Sequence, residues 1–306
     1  MSAPNRRRFL SQLLGGAAAS VAGPAWLAAA DTTDRLMDFP GFPARESGLR
    51  EGPGGSAGGG LQDDEAYWAR VKGQFSLAPG LILMNAANLC PSPYPVQEAV
   101  FARTRDVNRD PSFQNRGKFG PLKEEARAAL ADYVGASPSE IAITRNTSEG
   151  NNSVVNGLDL GPGDEVLLWD QNHPTNNVSW DVRARRWGFE VKRVTTPPGS
   201  ENPEALVDSF QGAMTARTRV LAFSHVSNSS GVALPAEELC ALARSRGILT
   251  LVDGAQSFGV YRLDLSGMGC DFFTASSHKW FMGPKEAGLM YVREGTQDRL
   301  WPSDVG

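Results

Sequence analysis

Short apolar runs alternate with longer amphipathic stretches along most of this 306-residue chain. Residues 141–144, 165–169, 189–194, 220–224, 248–252, 272–275 and 288–292 have the length and the β-branched and aromatic content of strands. Helical patterns separate most of them, for example 203–214 and 235–246. The stretch 121–130 reads as a helix with Pro121 in its first turn and Glu124 and Glu125 close behind, where acids favour the positive end of the helix dipole. A helical start at 63–68 and an apolar run at 81–84 come before it. Strands that are apolar nearly throughout are buried on both faces, so the pattern predicts an α/β fold: a mostly parallel sheet with helices on both sides.

The first 62 residues differ. Asn5-Arg6-Arg7-Arg8-Phe9-Leu10, an alanine-rich apolar stretch and Ala28-Ala29-Ala30 ahead of Asp31 make residues 1–30 a twin-arginine signal peptide with an A-x-A cleavage site. Gly15, Gly16, Gly23 and Pro24 break the apolar stretch, which is short for a stable membrane span. The expectation is export of a folded chain by the twin-arginine translocase to the periplasm or another extracytoplasmic space. Residues 31–62 contain the glycine-rich run 52–60, which offers too little apolar surface to order itself and reads as a flexible leader. The globular part is 63–306. With 41% hydrophobic and 21% charged residues the chain can bury a substantial core, and its net charge of −4 gives no basic surface for nucleic acid. Cys90, Cys240 and Cys270 are odd in number and lack metal-ligand spacing, so neither a metal site nor a disulfide scaffold is expected. Cys240 and Cys270 read as small buried hydrophobes.

Chemistry enters with two segments. The run Leu249-Thr250-Leu251-Val252-Asp253-Gly254 ends an apolar strand on a carboxylate, at the edge where open α/β sheets bind ligands. Lys279, in Ser276-Ser277-His278-Lys279-Trp280, follows the next strand and can reach the same crevice. A lysine so placed can form a Schiff base with a cofactor aldehyde while an aspartate keeps a pyridine nitrogen protonated. Each residue alone is ordinary: lysine after Ser-Ser-His is commonly a solvated loop residue, and aspartate after a strand a turn or cap. Arg145-Asn146-Thr147-Ser148-Glu149-Gly150 follows a strand and opens a helix, a geometry that holds phosphate as readily as it caps the helix. No G-x-G-x-x-G follows Thr144 and no Walker lysine loop occurs, which argues against a dinucleotide or P-loop site.

Taken in order, these segments resemble the class V aminotransferase group of fold-type I pyridoxal-phosphate enzymes, which includes cysteine desulfurases, isopenicillin-N-epimerase-like proteins and kynureninases. The resemblance spans roughly residues 80 to 295. It implies the large domain of that fold, pyridoxal phosphate as cofactor, a small amino-acid substrate and a homodimer. It makes Lys279 the Schiff-base lysine, Asp253 the partner of the ring nitrogen, and His173, in Asp170-Gln171-Asn172-His173, the ring that stacks on the cofactor. Asn172 stands where many relatives have an acid. Thr147, Ser148, Ser276 and His278 are implied phosphate ligands. Asn228, in His225-Val226-Ser227-Asn228, and Gln256 are implied to approach the phenolic oxygen, with His225 supporting the loop. Residues 85–88 resemble the family's opening strand and loop, and 85–91 with 283–292 point to the epimerase-like branch. Cysteine desulfurase is the alternative, and a cofactor-binding module without turnover is a third reading. The family's small C-terminal domain, with its carboxylate-binding arginine, would begin near the end of this sequence, so the chain is expected to be a truncated copy, incomplete as a catalyst.

Overall fold

The structure, a computed structural model, describes residues 65–200 and 202–303. The expected signal peptide and leader lie outside the described residues. Four helices come first: α1 (Glu65–Lys72), α2 (Tyr94–Arg109), α3 (Phe113–Arg116) and α4 (Phe119–Val134). Strands and helices then alternate: β1 (Ile141–Thr144), α5 (Thr147–Gly157), β2 (Glu165–Trp169), α6 (Pro174–Trp187), β3 (Glu190–Val194), α7 (Pro203–Ala213), β4 (Thr218–Ser224), α8 (Ala236–Ser245), β5 (Leu249–Asp253), α9 (Leu265–Met268), β6 (Phe272–Ser276) and β7 (Gly288–Val292).

The seven strands form one sheet in the order β1-β7-β6-β5-β4-β2-β3. Four neighbouring pairs are parallel, and β7 alone runs against its neighbours β1 and β6. The carboxyl ends of the other six strands therefore share one edge. That edge is where Asp253 ends β5 and Ser276 ends β6, with Asp253 and Thr274 directly paired.

Side chains alternate between two cores, as period-2 geometry requires. On β2, Leu167 and Trp169 pack with Phe210 of α7 and Leu239 of α8, whereas Val166 and Leu168 pack with Val154 of α5 and Trp180 of α6. All five β2 residues are buried. The sheet is thus covered on both faces, as the apolar strands predict, and Cys240 and Cys270 sit fully inside it.

The expectations need adjustment in a few places. Strand β4 begins at Thr218, β5 extends through Asp253 and β6 through Ser276. Residues 85–88, expected to resemble an opening strand and loop, contain no strand, and neither does the apolar run 81–84 before them. That run has no pairing partner among the described residues, and Ile82 and Met84 are 81% and 90% exposed. Among the described residues, no helix is long and apolar enough to cross a membrane, and no group of side chains could hold a metal ion.

Candidate active site

Asp253 ends β5 because Gly254 follows it. A Cβ at Gly254 would lie 1.9 Å from the Phe273 ring, so only glycine lets the chain leave the sheet here, with its N–H on the Thr274 carbonyl at 2.8 Å. The Asp253 carboxylate is 3% exposed and carries three neutral donors. Ala255 N–H reaches Oδ1 at 3.1 Å, and the amides of Asn151 and Asn176 reach Oδ2 at 2.9 and 3.5 Å. Burial of a carboxylate is tolerable when its lone pairs are met in this way.

Lys279 lies just beyond β6 in a tightly tied turn. Gly283 N–H returns to the Ser277 carbonyl at 2.7 Å and Met282 N–H to the Lys279 carbonyl at 3.0 Å, while Met282 takes a left-handed φ of 59°, unusual for a residue with a side chain. Phe281 stacks on Phe258 with centroids 4.4 Å apart, which pins the turn to the segment after Asp253. The Lys279 amine makes no hydrogen bond or ion pair among the described residues. Burial pushes its pKa down from the ordinary lysine range, and the Asp253 charge pulls the other way. Asp253 and Lys279 lie at the same sheet edge, one ending β5 and the other three residues beyond the end of the neighbouring β6.

The start of α5 differs from the simplest expectation. Its cap is Asn146, whose Oδ1 accepts from Glu149 N–H at 2.9 Å, rather than a threonine or serine. That leaves Thr147 free for another role. The Ser276 hydroxyl accepts its backbone N–H at 2.8 Å and lies 2.7 Å from its hydroxyl, both buried. Two expected phosphate ligands, 129 positions apart in sequence, thus meet at the positive end of α5. Ser148 is exposed beside them. His278 keeps a buried Nδ1 without a hydrogen-bond partner. Its pKa is lowered, chiefly by burial and next by the Lys279 charge.

His173 caps α6 through its ring. Nδ1 accepts from Thr175 N–H at 3.3 Å and lies 2.8 Å from the Thr175 hydroxyl. A backbone N–H can only donate, so the neutral ring carries its proton on Nε2. Burial lowers the His173 pKa, Lys279 lowers it further and Asp253 opposes both, which places the three groups within reach of each other's charge. Asn172 explains how a neutral amide serves where many relatives have an acid. It donates to the Ala222 carbonyl at 3.0 Å and accepts from Ser224 N–H at 2.7 Å, bridging the ends of β2 and β4. An ionised carboxylate could make only the second bond.

The remaining expected residues are less concentrated. Asn228 is exposed on the turn that Ser227 closes by accepting from Gly231 N–H. Gln256 is 8% exposed, and both ends of its amide are engaged: it donates to the Ala87 carbonyl at 3.0 Å and accepts from the Trp280 indole at 2.7 Å. It thereby ties segment 85–92 to the Lys279 turn, an attachment repeated by Cys90 N–H on the His278 carbonyl at 2.8 Å. His225 donates its backbone N–H to the Asp253 carbonyl at 2.9 Å and stacks on Tyr261, consistent with loop support. Sequence reasoning missed Asn151, Asn176, Thr274 and Trp280. The available signal was spacing: Asn151 is one turn after Thr147 and Asn176 one turn after His173, so each shares a helix face with an expected ligand.

An open α/β sheet with a buried carboxylate, an unpaired lysine and a hydroxyl-lined helix start at one edge is the arrangement of a cofactor-binding domain. The chain belongs to the aminotransferase class V family, whose sequence profile matches residues 104–306. It is 37% identical over 241 residues to isopenicillin N epimerase of Amycolatopsis lactamdurans, a match covering 78% of this chain and 60% of that protein. It is 31% identical to a probable cysteine desulfurase of Methanothermobacter thermautotrophicus, covering 74% of this chain and 56% of the relative. A solved structure of a C-DES mutant with glycine covalently linked to its PLP cofactor superposes with a TM-score of 0.71 at 28% identity, covering 77% of this chain and 62% of the other. The chain spans about 60% of the length of the curated relatives it matches. Pyridoxal phosphate is the family's cofactor, and the residues here fit it. The lowered, unpaired Lys279 amine suits an aldehyde, the Thr147–Ser276 hydroxyl pair and the orphaned His278 Nδ1 suit a phosphate, and the Asp253 carboxylate suits a protonated ring nitrogen.

Proposed function

We propose that this chain is the cofactor-binding part of a pyridoxal-phosphate enzyme that moves a proton at the Cα of a small amino acid, in the manner of an epimerase-like member of its family. The observation that carries this reading is the unpaired Lys279 amine, held below its ordinary pKa, at the same sheet edge as Asp253 and His173. Bound pyridoxal phosphate supplies an aldehyde that reacts with amines and a protonated ring that withdraws electrons. Thr147, Ser148, Ser276 and His278 would hold the phosphate. His173 would adjoin the ring, and Asn228 and Gln256 would serve its phenolic side. Asp253 keeps the ring nitrogen's proton through a charge-assisted hydrogen bond, worth about 1.5 to 3 kcal/mol. Lys279 would take the Cα proton on its own face, a task its lowered pKa suits because general bases work best near the operating pH, and inversion further requires a proton delivered to the opposite face.

The higher identity to isopenicillin N epimerase, 37% against 31% for the probable cysteine desulfurase, favours the epimerase-like reading, and the three cysteines of this chain serve as core residues. Cys90, Cys240 and Cys270 are all buried. Burial raises each thiol, Cys240 to about 12, with Lys285 opposing the shift only at Cys90. A nucleophilic cysteine needs the opposite surroundings. The test is exchange of the Cα proton of amino acids for deuterium in the presence of pyridoxal phosphate, followed by proton NMR. Exchange without sulfide release from cysteine is expected. Sulfide release as the main reaction would favour the desulfurase instead.

The twin-arginine segment adds the proposal that the protein acts outside the cytoplasm. Changing Arg6 and Arg7 to lysine is expected to hold it in the cytoplasm with residues 1–30 uncleaved. Normal processing in cells lacking the twin-arginine translocase would contradict this.

A further inference from the structure

The group that orients Asp253 comes from α5, not from its own loop. Asn151 donates its amide to Asp253 Oδ2 at 2.9 Å and accepts the Thr274 hydroxyl at 2.6 Å on its own Oδ1. The carboxylate removes the ambiguity of amide orientation: it only accepts, so the amide nitrogen faces Asp253 and the amide oxygen is left to accept from the Thr274 hydroxyl. All three residues are buried, Thr274 fully and Asn151 to 1% exposure. Thr274 is itself the β6 partner of Asp253, so the clip closes a ring across two adjacent strands and one helix. Gly150 makes the approach possible. A Cβ there would stand 2.8 Å from Thr274 Cγ2 and would push α5 off β6, taking Asn151 with it.

We propose that Asn151, oriented by Thr274, is a positioning residue that anchors one Asp253 oxygen and leaves the other to hold the proton of the cofactor's ring nitrogen. The inference rests on the pyridoxal-phosphate reading above. Oδ2 has two side-chain donors, Asn151 and the longer Asn176 contact, while Oδ1 has only Ala255 N–H. A carboxylate oxygen accepts about two hydrogen bonds, so Oδ1 retains a lone pair and Oδ2 does not. The titratable groups facing Asp253 are Lys279, from the turn after β6, and His173, at the start of α6. Neither bonds to it, and no ion pair anchors it among the described residues. Its orientation therefore depends on amides. Thr147 and Asn151 lie one turn apart on α5, about 6 Å along its axis, so a single rigid helix sets both the phosphate end and the ring end of the site.

The test reads the ring nitrogen itself. Full-length protein loaded with pyridoxal phosphate labelled with nitrogen-15 in the ring reports by NMR the pH at which that nitrogen loses its proton. In Asn151→Leu, which fills the same space without the donor, the midpoint is expected to fall by about one pH unit, a tenfold change in proton affinity. In Thr274→Val, which keeps the shape of β6 but frees the amide to turn, it should fall by less. The double variant should match Asn151→Leu alone, because the two act as one unit. A residue that merely packs would lower thermal stability and leave the midpoint where it is in the wild type. An unmoved midpoint in a loaded Asn151→Leu protein, or in Thr274→Val should the former not fold, overturns the inference alone. Wild-type protein that takes up no cofactor overturns the functional reading and this inference with it.

Discussion

Replacing Lys279 by alanine is expected to lower Cα proton exchange by about 10³-fold or more, against general-base contributions of roughly 10² to 10⁴. The size of the effect follows from where the amine sits. An exposed lysine is almost wholly protonated at neutral pH, whereas burial lowers the pKa of Lys279 and leaves only the Asp253 charge to resist. The wild-type rate should accordingly rise with pH through a midpoint below that of an ordinary lysine, since the base is the neutral amine, and this limb should vanish in the variant. Small primary amines added to Lys279→Ala should restore part of the exchange. An alanine variant that exchanges as fast as the wild type, with the same pH limb, would show that another group moves the proton.

Asp253→Ala should be nearly as damaging, for two separable reasons. It removes the charge that keeps the ring nitrogen protonated, so exchange is expected to fall by at least about 10²-fold, the loss of a charge-assisted hydrogen bond of about 3 kcal/mol. It also strands the Asn151 amide and Ala255 N–H in a buried site, at about 1 to 3 kcal/mol of stability for each unpaired group. Asp253→Asn separates the two, because it keeps the shape while losing the charge. Its exchange should resemble that of the alanine variant and its melting temperature should be closer to wild type. Exchange in Asp253→Asn equal to wild type would make the carboxylate a structural group.

Much of the frame was readable in the sequence because burial on both faces leaves a continuous apolar run. Strands β1, β2 and β7 have the bounds their residues predict, and β5 ends on the carboxylate that its pattern brings to the edge. The apolar run 81–84, assigned to no strand, shows where apolarity alone does not decide. Apolarity identifies a segment that would pair if a partner were present, but pairing is a tertiary event that no local pattern contains. The site divides in the same way. Lys279 and Asp253 announce themselves by chemistry and by the strands before them. Asn151 does not, because a neutral amide in a helix has no apolar period and matters here only through contacts with Asp253 and Thr274, 102 and 123 positions away. Gln256 was noticed for its relation to a cofactor oxygen, while its amide joins Ala87 to Trp280, two partners that sequence spacing does not relate.

The most direct test of the central claim is to load the wild-type protein with pyridoxal phosphate, reduce it with borohydride and map the modified peptide by mass spectrometry. A single stable adduct on Lys279, absent from Lys279→Ala, is expected. An adduct confined to another lysine, with Lys279 unmodified, would contradict it.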